Sequence, residues 1–215
     1  YYTIDTFTQL RSIRSLQNLG LTLDEIRDYF NDSADLMPLI HRLEKMRDEL
    51  NLNIEKLYER SKTASVQVKE LQLPPQLVYR RTYHSEAVAD KTVLLRNTAL
   101  EAMRAYGTDI TRRMYFIEYP INRPADVSFC VAVPQGSKGA YVETLPAVAA
   151  ICIYHHGAYE ELPAVGQRLL SYAQEHGLMP AGTLRHTYLE GPPQHKDPSK
   201  FITQVAMPIQ NTQNR

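Results

Sequence analysis

The amino-acid sequence predicts an α+β protein in which helices come first and a sheet-forming domain follows. Three observations predict this fold class: two short amphipathic helices joined by a glycine, leucines that repeat every seven residues, and strand-like runs that recur in the same order. They divide the chain into residues 1–34, a long helix over 35–62, a mixed domain over 63–210 and a tail over 211–215.

Residues 1–30 have the pattern of a helix-turn-helix corner. Apolar residues recur at three-residue spacing from Phe7 to Leu19, and Gly20 then ends the first helix. Thr22, followed three residues later by Glu25, has the capping-box pattern that starts a second, shorter helix. Corners of this kind occur in many proteins, so the pattern alone does not specify a function.

The next segment has the heptad pattern of a coiled coil. Leucines lie seven residues apart at Leu36, Leu43, Leu50 and Leu57. Leu39 and Met46 occupy the complementary apolar position, and Asn53 interrupts it. The pattern favours a homodimer formed through residues 36–57; the alternative is a long helix packed on its own domain. The charged residues beside this seam, Arg42 and Glu55 among them, are expected to be solvated.

The remainder of the chain has the pattern of a duplicated unit. Strand-like runs lie at 66–73, 77–83, 114–119, 127–133, 148–154, 184–190 and 201–207, with helices at about 87–106 and 160–176. The six runs from 77–83 onward form, together with the two helices, two copies of a strand-helix-strand-strand unit. Tyr83 and Tyr154 are 71 residues apart, and Pro120 and Pro192 are 72 apart. Two such units packed side by side leave a cleft, where ligands commonly bind.

The composition bounds the class of protein. The chain has 24 basic and 24 acidic residues, so it has no overall positive field for nucleic acid, which still allows a local basic patch. Cys130 and Cys152 fall in apolar runs and are expected to be reduced core residues. The sequence has neither a signal peptide nor the run of about 20 apolar residues that spans a bilayer, so a cytoplasmic protein is expected. Because the chain begins at Tyr1 without a methionine, we also expect a segment that precedes it.

Two stretches of the chain resemble known families. The segment ending in "LGLTLDEIRDYF" resembles the second half of the DNA-binding domain of MerR-family transcription regulators. The stretches "YHHGAYEEL", "RHTYLEGP" and "FITQVAMPI" resemble the GyrI-like effector-binding domain, which makes the whole chain similar to BmrR-type multidrug-sensing regulators. The resemblance implies a partial winged-helix segment, an antiparallel coiled-coil dimerisation helix, and promoter DNA and RNA polymerase as partners.

In that family the helix that enters the major groove lies upstream of this segment, so bases would be recognised mainly by residues before Tyr1. Residues of the present chain could then supply phosphate contacts, which position a protein without specifying a sequence. The candidates are Tyr1, Tyr2, Arg11 and Arg14. A position on the solvated face of an amphipathic helix, without any contact to DNA, explains Arg11 and Arg14 equally well.

A pocket for lipophilic, often cationic, aromatic compounds needs aromatic faces and a carboxylate. The predicted ligand-binding residues are Tyr83, Phe116, Tyr154, Tyr159, His186, Tyr188, Glu190 and Phe201. The family places a glutamate at the position of His186, so the acid must come from elsewhere. Glu190 is the first option because it shares a strand face with His186 and Tyr188, and Glu118 is its equivalent in the first repeat. Glu160 and Glu161 are further options, although their position at a helix start explains them without a ligand.

An enzyme is the alternative class of function. Some GyrI-like proteins hydrolyse small electrophiles and use the same glutamate to activate water, and others could sequester drugs. With His186 at that position the general base is lost unless the imidazole itself serves as one. The adjacent His155 and His156 point to opposite strand faces and cannot chelate together. We therefore expect neither an enzyme nor a protein that needs a metal or a cofactor.

Overall fold

The computed structural model describes residues 4–31, 35–61, 67–107 and 115–210. The helices are α1 Ile4–Asn18, α2 Leu23–Tyr29, α3 Met37–Ser61, α4 Val88–Tyr106 and α5 Leu162–Glu175. The strands are β1 Lys69–Leu73, β2 Gln76–His84, β3 Tyr115–Pro120, β4 Asp126–Ala132, β5 Val142–Leu145, β6 Val148–His156, β7 Thr183–Glu190 and β8 Ile202–Pro208. These elements confirm the α+β class. The chain divides into two compact units, Tyr1–Asp48 and Glu49–Arg215.

In the first unit, the predicted corner between α1 and α2 is confirmed. Gly20 takes the left-handed conformation at φ +79°, and the capping box forms as expected. The backbone N–H of Glu25 donates to the hydroxyl of Thr22 at 3.3 Å, and the backbone N–H of Thr22 donates to the Glu25 carboxylate at 2.8 Å.

The expectation that Arg42 is merely solvated is wrong. Its guanidinium donates to the carbonyl oxygen of Gly20 at 2.8 Å and also bonds the Glu25 carboxylate. The hydrogen bond from Arg42 is the main reason that the pKa of Glu25 falls to about 2. Arg42 therefore links α3 to the turn between α1 and α2, a contact that no heptad pattern encodes.

Helix α3 covers nearly all of the predicted heptad segment. In the second unit its side chains Leu50, Ile54, Leu57 and Tyr58 are all more than two-fifths exposed. The other side of the helix meets the sheet, where the hydroxyl of Tyr154 donates to Glu55 at 2.6 Å and Lys69 donates to Glu59 at 2.7 Å. Glu55 is thus bound to the sheet rather than solvated, which corrects the sequence-based expectation. The coiled coil itself stays a prediction.

The second unit is built on an eight-stranded antiparallel sheet in the order β1-β6-β8-β7-β3-β4-β2-β5. The duplication is visible in this order, because β2-α4-β3-β4 and β6-α5-β7-β8 are the two copies and their strands run outward from the central β3–β7 pair in mirrored order. The short edge strand β5, with sequence VETL, was not predicted, and α5 begins after a 3-10 turn at Tyr159–Glu161.

The main core lies between one face of this sheet and helices α4 and α5. Ile151, Ile153 and Val205 from the strands meet Val165 and Leu169 from α5. The predicted state of the two cysteines is confirmed, since Cys130 and Cys152 are both free and fully buried. Burial raises the pKa of the Cys152 thiol to about 12. Within the described ranges, no helix combines the length and apolarity required to cross a membrane.

Candidate ligand-binding site

A cavity of about 950 Å³ opens over the central strands β3 and β7, between helices α4 and α5. Each repeat contributes one of these helices and one of these strands to its walls. Residues that follow β3 and β7, among them Pro124 and Pro192, complete its lining. Its volume lies at the upper end of the range of about 300–1,000 Å³ that is typical of small-molecule sites.

The walls are apolar and aromatic. The aromatic lining consists of Tyr115, Tyr119, Tyr159 and Tyr188. The Tyr159 ring lies 5.1 Å from the ring of Tyr188 in an edge-to-face arrangement. Gly191 makes room for this ring, because a Cβ atom there would lie 2.3 Å from the Tyr159 hydroxyl oxygen. Burial raises the pKa of Tyr159 to about 12, so the phenol is neutral near pH 7.

The floor of the cavity holds a neutral histidine–tyrosine pair. His186 is 5% exposed, and its Nε2 shares a hydrogen bond of 2.8 Å with the hydroxyl of Tyr119. Burial, with a smaller effect from the ammonium of Lys91, lowers the pKa of His186 to about 3. Burial also raises the pKa of Tyr119 to about 12. Both groups are therefore uncharged across the physiological pH range.

Four charged side chains reach the cavity: Glu86, Lys91, Arg96 and Glu190. The carboxylate of Glu190 bonds the Nε2 of His195 and lies 3.9 Å from the guanidinium of Arg60. The side chain of Glu86 is 85% exposed. Lys91 is half-buried on α4, and burial lowers its pKa while Glu86 partly opposes the shift. The least solvated charge without an ion pair in this part of the described structure is thus the Lys91 ammonium.

The structure brings four of the eight predicted ligand-binding residues to the cavity: Tyr159, His186, Tyr188 and Glu190. Tyr83 lies on the same side of the sheet, where it packs 5.9 Å from the ring of Phe129 without lining the cavity. Phe201 is buried, with its ring 5.1 Å from that of Tyr159.

The other two, Phe116 and Tyr154, project from the opposite face of the sheet. Phe116 is buried beneath the guanidinium of Arg185 at 4.3 Å, and Tyr154 is bonded to Glu55. Glu118 lies on that face as well, so it is not an acid of the cavity. Strand alternation explains this, because Ile117 and Ile153 face the helices and their neighbours must face away.

Sequence reasoning missed Lys91, Leu95 and Tyr119 as lining residues. For Lys91 and Leu95, the sequence of α4 contains a pattern from which they could have been predicted. Lys91, Leu95 and Ala99 are spaced four apart and so share one helical face, which places a single cation in an otherwise apolar stripe.

The predicted DNA-contacting residues belong to the first unit. Tyr1 and Tyr2 lie outside the described residues. Arg11 and Arg14 are both exposed on α1, three residues apart and hence on one side of the helix. Among the residues that the structure describes, no cluster of three or more His, Cys, Asp or Glu side chains could hold a metal ion.

Part of the chain around the cavity is similar to a known family. Residues 123–210 match the family model of the GyrI-like small molecule binding domain. The matched residues include β7, β8 and α5, and therefore His186 of the floor and one wall of the cavity. No curated protein matches the chain.

The similarity to solved structures extends beyond the residues that match the GyrI-like model. The crystal structure of the EcmrR C-terminal domain is 22% identical, with 67% of this chain and 98% of that chain covered and a TM-score of 0.62. The EcmrR–DNA complex in EcmrR-RPo, solved by cryo-EM, is 21% identical over 98% of this chain and 85% of that chain, with a TM-score of 0.59. At these identities the two structures show that the chain shares their fold, which agrees with the resemblance predicted from the sequence.

A hydrolase from Listeria innocua is a more distant similarity. It is 11% identical, with 73% of this chain and 98% of that chain covered, and its TM-score is 0.44. A likeness at this level does not bear on chemistry.

Proposed function

We propose that this chain is a ligand-responsive bacterial transcription regulator that binds promoter DNA as a homodimer and senses lipophilic aromatic compounds. The observation that carries the proposal is the aromatic cavity of about 950 Å³ in a GyrI-like domain. Tyrosine rings offer large apolar faces at low entropic cost, and stacking on them is only weakly directional. Such a cavity accepts ligands of several shapes, which suits a multidrug-type sensor.

The likeness to the EcmrR–DNA complex over 98% of this chain supports the function that the sequence predicts for each segment. In this proposal residues 1–34 belong to a winged-helix DNA-binding domain, residues 35–62 form the dimerisation helix, residues 63–210 bind the effector and residues 211–215 are a tail. RNA polymerase is the partner of the DNA-bound, activated form, and the protein acts in the cytoplasm.

The exposed stripe on α3 supports the homodimer. Leu50 and Leu57 are 59% and 62% exposed, and they lie two helical turns apart with Ile54 between them. A second copy of this helix would bury the stripe. We expect Leu50→Asp to abolish dimerisation because the new charge would lack a partner in the seam. Asn51→Asp, which adds the same charge at an exposed position off the seam, should leave the dimer intact.

Sedimentation velocity at micromolar concentration measures both variants. A wild-type chain that stays monomeric would exclude the homodimer. Dimers that survive Leu50→Asp would instead place the interface elsewhere on the molecule.

The exposed pair Arg11 and Arg14 supports DNA contact by α1. Replacing either by alanine should weaken binding to duplex DNA of any sequence and reduce the slope of log affinity against log salt by about 1. Arg104→Ala, at an exposed position on α4 in the second unit, is the matched control and should leave the slope unchanged. Fluorescence anisotropy with a labelled duplex over a salt series gives these slopes. Unchanged slopes for both α1 variants would show that the two arginines are solvated and do not contact DNA.

The hydrolase alternative is disfavoured by the chemistry of the cavity floor. A general base works best with a pKa near the working pH. His186 has a pKa of about 3, so its imidazole has little affinity for the proton of an attacking water. A drug-sequestering protein would share the cavity, but it predicts no contact between Arg11 or Arg14 and DNA.

A further inference from the structure

We infer that the cavity selects aromatic compounds that carry an acidic group, such as an aryl carboxylate, over lipophilic cations. This inference rests on the proposed ligand-sensing function and specifies the charge of the effector.

The floor offers no counter-charge to a cation. His186 and Tyr119 are both neutral, and they bind each other. Between them they hold two polar hydrogens, the tyrosine O–H and the imidazole N–H, and their shared bond uses one of these. The other remains to donate, and a ligand carboxylate is a good acceptor whereas a quaternary ammonium cannot accept a hydrogen bond.

The two acids at the cavity are poorly placed to hold a cation. The carboxylate of Glu190 already bonds His195 and lies near Arg60, so a cation would compete with groups that compensate its charge. Glu86 is 85% exposed at the rim, where water screens its attraction. Among the described lining residues, a desolvated cation therefore finds no carboxylate that is both buried and uncompensated.

The Lys91 ammonium has the opposite character. It is half-buried on the same helical face as Leu95 and Ala99, it lines the same cavity as His186, and its charge adds to the lowering of the pKa of that imidazole. Within the described residues it forms no salt bridge. An ammonium that has lost part of its hydration and has no ion pair is stabilised by an incoming anion. Arg96, an exposed lining residue five positions further along α4, adds a second positive charge.

These placements define a ligand with two parts. Its aromatic body would lie between α4 and α5 against Tyr159 and Tyr188, and its carboxylate would lie between Lys91 on α4 and the His186–Tyr119 pair on the floor. One charge-assisted bond from Lys91 and one hydrogen bond from the floor pair would hold the acid group.

Three ligands with the same ring system test the inference: anthracene carboxylate, anthracene carboxamide and anthracenylmethyl trimethylammonium. The chain has no tryptophan, so anthracene fluorescence can be followed without interference from the protein. We expect the carboxylate to bind the wild-type protein at least about tenfold more tightly than the other two, the size of a charge-assisted hydrogen bond. Lys91→Met should remove this preference by weakening carboxylate binding about tenfold while leaving the carboxamide unchanged.

Two control variants separate the role of Lys91 from general effects. Lys91→Arg keeps the positive charge and should keep the preference for the carboxylate. Lys138→Met removes a lysine that does not line the cavity and should change none of the three affinities.

The outcomes distinguish the inference from the function on which it rests. If the three ligands bind equally, or the trimethylammonium compound binds best, the inference is overturned while a ligand-sensing cavity stands. An unchanged preference in Lys91→Met also overturns it. If none of the three binds to the wild-type protein, the proposed sensing function fails and the inference fails with it.

Discussion

Ionisable groups are neutral on one face of the central strands β3 and β7 and are charged and paired on the other face. On the face toward α4 and α5, Ile117 pairs with His186, which is neutral and borders the cavity. One residue along, Glu118 pairs with Arg185 on the other face, and the two form a buried ion pair of 2.7 Å. Arg80 adds a second positive charge, 3.7 Å from Glu118.

This difference shows how the sheet separates charge from the ligand site. Buried charges are tolerated where a partner of opposite sign is packed beside them, as on the outer face. The cavity face keeps its central groups neutral, so the open volume does not expose an unpaired charge at its floor. A shift of one residue along β3 would exchange the two environments, because successive side chains point to opposite faces.

The largest expected effect is on the outer face. Arg185→Met should destabilise the protein by about 3 kcal/mol, at the lower end for a broken buried ion pair because Arg80 still faces Glu118. Arg123→Met, which breaks a pair with Asp126 at a side chain 70% exposed, is the control and should cost less than about 1 kcal/mol. Urea unfolding gives both values. Equal losses for the two variants would show that burial does not distinguish the outer-face pair.

A smaller effect is expected on the cavity face as the pH falls. His186 has a pKa of about 3 in the folded state against an ordinary value of 6.5, so between these values the unfolded chain binds a proton that the folded chain does not. The contribution of His186 to stability is complete above pH 6.5 and is lost on acidification by about 1.4 kcal/mol per pH unit. From about pH 6.5 to about pH 5 the loss is therefore about 2 kcal/mol.

The variant His186→Gln isolates this effect, since every other titrating group is common to both proteins. The free energy of unfolding of the wild type should fall by about 2 kcal/mol more than that of the variant over this interval. Parallel pH profiles would mean that His186 becomes protonated in the folded protein and that the cavity floor is not neutral.

The smallest effect on stability is expected from filling the cavity. Leu95 packs at the edge of the main core and lines the cavity, so the larger side chain of Leu95→Trp can extend into open volume and the free energy of unfolding should change by less than about 1 kcal/mol. Binding of anthracene carboxylate should nevertheless weaken at least about tenfold, since the ring occupies the space of the ligand. Val93→Trp, on the same helix but 56% exposed and outside the cavity, should leave binding unchanged. Unaltered binding to Leu95→Trp would place the ligand outside this cavity.

The α+β class, the capping box at Thr22, the long helix α3 and the duplicated order of strands were predictable from the sequence. Each of these features is encoded by residues close together in the chain or by a pattern repeated along it. The period of apolar residues indicates helix or strand directly, and two copies of one unit predict a sheet with two related halves. The buried state of Cys130 and Cys152 follows in the same way from their apolar neighbours.

The positions of the site residues were decided by the tertiary structure. Strand β3 is buried on both faces over four consecutive residues, so its sequence lacks the alternation that would show which side faces a cavity. Phe116 and Tyr119 therefore could not be assigned to a face from their residue types. Arg42 depends on a contact with Glu25, 17 residues away in the chain. Lys91 lines one cavity with His186, 95 residues away, and its charge affects the pKa of that imidazole. Local patterns determine which elements form, whereas the environment of each ionisable group depends on which distant residues the packed sheet and helices bring beside it.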